Sequence, residues 1–154
     1  MLARLKIFFV EAKADPAAGA QAFDRTQIAT AALLVHAACL DQDFGPDEER
    51  TIAEIITTSF DLTAEEAEEL LALGQQAETQ ANDLFGWTRD LKDALSPDQK
   101  QALIEKLWEV VYADGSLHDY EANLLRRIAG LIYVPDRDVG DARRRVLERL
   151  NLRA

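Results

Sequence analysis

Twice in this chain, a helix-length segment that is apolar nearly all round runs straight into an acidic turn. The first carries Ala29, Ala31, Ala32, Leu33, Leu34, Val35, Ala37, Ala38, Cys39 and Leu40, and meets Asp41. The second carries Leu103, Ile104, Leu107, Trp108, Val110 and Val111, and meets Asp114. A helix without a polar face must be covered on every side, so two of them demand a body of other helices around them. Each Asp is followed by an apolar residue three places on (Phe44, Leu117) and a Glu seven places on (Glu48, Glu121). An amphipathic helix then begins. The two turns stand 73 residues apart, whether measured from Asp41 to Asp114 or from Glu48 to Glu121.

The segments between them read as helices too. Gly45-Pro46 restarts the chain, because proline at the first helical position loses no needed N–H. Ile52, Ile55, Ile56 and Phe60 then follow at helical spacing. Thr63-Ala64-Glu65-Glu66 and Ser96-Pro97-Asp98-Gln99 are capping boxes. Residues 82–95 read as a helix weakened by Gly86. Leu124, Leu125, Ile128 and Ile132 mark another, stopped by Pro135. Asp136 or Asp138 is expected to cap a last helix bearing Val146, Leu147 and Leu150. No alternating apolar run suggests a strand. The expected fold is all-α: a single-domain bundle of about seven helices with an internal pseudo-two-fold helix–turn–helix repeat. Residues 1–20 read as a short helix and linker, and residues 21–154 as the helical domain.

At 154 residues the chain is long enough to bury a core, and 48 % apolar with 29 % charged residues is a globular mixture. A net charge of −11 argues against nucleic acid as a partner. The charge is also polarised. Residues 41–78 hold twelve acidic residues and one basic one, Arg50, whereas residues 126–153 hold eight Arg against four acidic residues. An acidic face of this kind either keeps the protein soluble or attracts cations or a basic protein partner. Cys39 is the only cysteine, so no disulfide forms within the chain, which fits a reducing cytoplasm. Residues 1–10 are apolar apart from Arg4 and Lys6, yet too few to span a bilayer. They are expected to pack on the bundle, with membrane contact through residues 1–13 as the less favoured alternative. A cytoplasmic protein is expected.

Two readings of the acidic turns are open. Asp41 and Asp114 close helices at the negative end of the dipole, which costs about 0.3–1 kcal/mol. An Asx-type turn compensates for that, Gly115 suits a left-handed helix end, and Glu48 and Glu121 fall at N3 if Gly45 and His118 are N-caps. On this reading each motif is a capped turn and nothing more. On the other reading, Asp41, Asp43 and Glu48 with Asp114, Asp119 and Glu121 supply the hard oxygen ligands that Ca²⁺ or Mg²⁺ takes. This is not an EF-hand, because Ile52 stands where the bidentate Glu belongs, so the ion needs both loops or water. His36 and Cys39 share a helix face, but burial is their expected role. No nucleophile elbow, phosphate-cradling loop or paired catalytic His is present, so no enzyme is expected.

The run Leu107-Trp108-Glu109-Val110-Val111-Tyr112-Ala113-Asp114-Gly115-Ser116-Leu117-His118-Asp119-Tyr120-Glu121 resembles the TerB-like family, the tellurite-resistance protein B group. So do Leu33-Leu34-Val35-His36-Ala37-Ala38, the Asp41…Glu48 segment and the order of the pieces between them. The first copy has Leu40-Asp41-Gln42 where the second has Ala-Asp-Gly. The resemblance implies an all-helical repeat fold, a stress-response setting linked to tellurite or metal tolerance, metal binding and protein association. The positions it carries over are Asp41, Glu48, Asp114 and Glu121. Asp43 and Asp119 are added on their chemistry. Similar domains also head membrane-anchored DnaJ-type co-chaperones, which implies an adaptor role as the alternative.

Overall fold

A computed structural model describes residues 23–40, 45–80, 83–113 and 119–152. They form seven helices: α1 (Arg25–Ala38), α2 (Pro46–Phe60), α3 (Ala64–Gln80), α4 (Leu84–Ala94), α5 (Pro97–Val111), α6 (Asp119–Leu131) and α7 (Asp136–Leu150). There is no strand among the described residues, so the all-α expectation holds. Residues 1–20, and with them the expected domain boundary, lie outside the described residues.

Helix α1 is the axis of the body. Every residue from Ala29 to Val35 is buried. Thr30 tolerates this because its hydroxyl donates to the Thr26 carbonyl at 2.8 Å. Around α1 pack α2, α3, α4, α5 and α6. Helix α3 comes closest, at Gly74: a Cβ built there would stand 2.7 Å from the Ala31 Cβ. Two small residues thus let two backbones touch. The second apolar helix, α5, packs on α7, α2 and α6 as well as on α1. Helix α1 therefore carries α2 and α3, while α5 carries α6 and α7, with α1 and α5 in contact between them.

Local sequence sets the helix boundaries. Thr63 and Glu66 exchange hydrogen bonds before α3, and so do Ser96 and Gln99 before α5. Asp24 and Gln27 form a third capping box, at the start of α1. Helix α4 starts at Leu84, and its glycine belongs to its cap. The Gly86 N–H donates to Asp83 Oδ1 at 3.0 Å, and a Cβ at Gly86 would collide with the Asp83 carboxylate. The last helix corrects an expectation. Neither Asp136 nor Asp138 caps it: α7 begins at Asp136, and Pro135 is the N-cap. The fixed φ of −63° and extended ψ of 151° at Pro135 turn the chain into the helix without a side-chain cap. Both aspartates instead lie in the first turn, favourably placed against the helix dipole.

Candidate functional site

Glu48 is the third residue of α2, behind Gly45 as N-cap and Pro46 at the first helical position. The Gly45 N–H donates to Glu48 Oε1 at 3.0 Å. Glycine has no side chain to return the bond, so this is half of a capping box. Glu121 is likewise the third residue of α6. The two carboxylates are nearly sealed from solvent, at 8 % and 3 % exposure, and both are engaged by neighbouring groups. Burial of charged carboxylates is rare unless they are compensated. Both expected glutamates therefore occupy equivalent, buried N3 positions.

The remaining candidates are less fully seen. Asp41, Asp43 and Asp114 lie outside the described residues, and Asp119 opens α6 with its side chain outside the description. The helices leading into and out of these turns are placed, however. Leu40, the last described residue before the first turn, and Tyr120, in the first turn of α6, line the same groove. It has a volume of about 420 Å³ and also touches His36, Phe85, Asn123 and Arg127. The residue entering the first turn and the first helical turn after the second thus border one groove. Among the described residues no three His, Cys, Asp or Glu side chains form a group able to hold a metal.

His36 and Cys39 are both held within the body of the bundle. His36 Nδ1 lies 3.3 Å from Glu78 Oε2, and the ring meets Trp87 edge-on at 6.1 Å between centroids. Cys39 packs partly buried against the core.

The charge polarity of the sequence divides in space. Helices α2 and α3 expose Asp47, Glu49, Glu54, Glu65, Glu68 and Glu69. Arg50 pairs with Asp47 at 2.6 Å. The C-terminal arginines are partly tied to the body: Arg145 and Arg149 hold Glu105 at 2.9 and 3.0 Å, and Arg149 also holds Glu109 at 2.6 Å. Burial lowers the Lys106 ammonium from its ordinary value, against the pull of Glu109 and Glu105. No helix among the described residues is long and apolar enough to cross a membrane.

The sequence gives no individual role to Arg126 or Arg143 and counts Trp108 only among the apolar residues of its helix. The structure puts all three around one cleft between α5, α6 and α7. They come from three helices, so no local spacing joins them.

Comparison with curated proteins and with solved structures gives no match. The family model described as tellurite resistance protein TerB matches residues 27–144, from the middle of the first turn of α1 to near the middle of α7. The chain therefore belongs to the TerB family of tellurite resistance proteins.

Proposed function

We propose that this protein is a non-enzymatic stress-response module that binds a divalent cation, Ca²⁺ or Mg²⁺, through its two acidic turns. The observation that carries the reading is that the segments flanking those turns border one groove. Leu40 and Tyr120 line one groove, and each turn leads to a buried glutamate at N3. An ion at that end would draw oxygen ligands from both loops, Asp41 and Asp43 on one side and Asp114 and Asp119 on the other. Glu48 and Glu121 would orient the backbone that carries them. The matching order of helix packing around α1 and α5 is what an internal repeat would produce. Calorimetric titration with Ca²⁺, Mg²⁺, Mn²⁺ and Zn²⁺ tests the proposal. Saturable binding with a Kd of about 1 mM or tighter, the weak end for Ca²⁺ modules, is expected. Heats no larger than dilution for all four ions would refute it.

A second reading is a protein-interaction adaptor that docks a basic partner on the α2–α3 face. The row of exposed acids along α2 and α3 favours it. Exposed charges are screened over about 8 Å at physiological ionic strength, so docking of this kind should weaken steeply with salt. Capture of a partner that survives both high salt and charge reversal at Glu65, Glu66, Glu68 and Glu69 would rule it out.

A further inference from the structure

The cleft between α5, α6 and α7 encloses about 800 Å³, within the size range of small-molecule sites. Around it stand Trp108, Asn123, Arg126, Asp136, Gly140 and Arg143. From these residues we infer a binding site for a small organic anion, with Arg126 and Arg143 as the groups that take its carboxylate or phosphate.

The first support is the state of the arginines. On α7, Arg144 is paired with Asp141, Arg145 with Glu105, and Arg149 with Glu105 and Glu109. Arg143, in the same helix, has no carboxylate partner among the described residues, and neither has Arg126. Arg143 is nonetheless held in place. Its Nε donates to Tyr112 Oη at 2.7 Å, and its guanidinium carbon lies 5.6 Å from the Trp108 ring centroid. The indole is anchored in turn by its N–H to the Val139 carbonyl at 3.1 Å. A guanidinium fixed on an aromatic platform, with its terminal nitrogens uncommitted, is pre-organised for a planar two-oxygen acid. Asp136 sets one negative charge against the two positive ones, and the Asn123 amide adds both a donor and an acceptor. The lining is therefore net cationic on a chain of net charge −11.

The second support is Gly140. Glycine inside a helix costs about 0.5–1 kcal/mol relative to alanine. The fold does not require it here, because an added Cβ would meet nothing within 4 Å. Gly130, near the end of α6, is equally unhindered but does not line the cleft, whereas a Cβ at Gly74 or Gly86 would strike a neighbour. The absent side chain at Gly140 keeps the wall of the cleft clear.

The test uses benzoate and phenyl phosphate as probes and benzyl alcohol as the neutral control. Binding is followed in the full chain through the NMR signals of the Trp108 indole N–H and Arg143 Nε–H. Saturable shifts are expected with at least one anion and not with the alcohol. Arg126→Gln, which removes an exposed charge, should weaken binding about tenfold or more, as losing a charged hydrogen bond does. Gly140→Leu should abolish binding while Gly140→Ala leaves the protein folded and at least as stable. Absence of saturation below about 10 mM, a free energy too small for a formed site, would overturn the inference. So would equal response to the alcohol, or binding unchanged in both Arg126→Gln and Gly140→Leu.

Discussion

At the scale of single residues, identical amino acids do opposite things according to what surrounds them. Gly74 lets α3 touch α1 at Ala31, and Gly140 faces open space. Gly74→Ala is expected to destabilise the protein by about 1–3 kcal/mol, the usual cost of overpacking. Gly140→Ala should stabilise it by about 0.5–1 kcal/mol. Urea unfolding of the two variants in parallel checks the contrast. Asp24 gives a pH-dependent case. Burial raises its carboxyl above the ordinary aspartate range, against the lowering hydrogen bonds from Gln27 and Thr26. Its Oδ2 is buried with no hydrogen-bond partner among the described residues. With the folded pKa above the unfolded one, ionisation costs stability at neutral pH, and that cost disappears as pH falls through the raised pKa toward 3.8. Asp24→Asn keeps the cap and should match or exceed the native protein at neutral pH, with a margin that shrinks toward about pH 4. Asp24→Ala should instead lose about 1 kcal/mol. A margin for Asp24→Asn that grew on acidification would contradict this account.

At the scale of elements, three helices end by the same device. Leu62 N–H bonds to the Thr57 carbonyl after α2, Val134 to Ala129 after α6, and Leu152 to Leu147 after α7, at 3.0, 2.8 and 2.9 Å. Each closure passes through a left-handed residue: Asp61, Tyr133 and Asn151. Asp and Asn tolerate that conformation, while Tyr133 bears its cost with its ring exposed beneath Lys92. Tyr133→Asn should therefore raise stability by up to about 1 kcal/mol, the relief of left-handed strain less the weak cation–π contact. Thermal unfolding would show it, and a lower melting temperature would contradict it. Legibility from sequence follows the same division. Capping boxes at Thr63 and Ser96 were readable because both partners lie within four residues. The start of α7 was misread because a proline can turn a chain into a helix without a cap, which left two nearby aspartates as false candidates. Gly86 looked like a helix breaker because its reason, the Asp83 carboxylate, is visible only once the cap is formed.

At the scale of the whole molecule, two helices with long apolar runs identified the fold, since a chain containing both has few ways to cover them; α1 is buried along its length, whereas α5 keeps a half-exposed polar side at Glu105, Lys106 and Glu109. Sequence duplication nominated the acidic turns, and Leu40 before the first and Tyr120 after the second line one groove. The cleft with Arg126, Arg143 and Trp108 was illegible because its residues meet only through the packing of α5, α6 and α7. The central claim is that the acidic turns act together on a cation and are not merely well-capped loops. An ion bound to the folded state alone stabilises it by about 2.7 kcal/mol at one hundred times its Kd. The direct measurement is therefore the melting temperature of the native protein and of Asp114→Asn, each with saturating Ca²⁺ and with chelator. The account predicts a Ca²⁺-dependent rise in the native protein that is absent from Asp114→Asn. A melting temperature indifferent to Ca²⁺, with Asp114→Asn lowering it equally in both conditions, would show the turns to be structural alone.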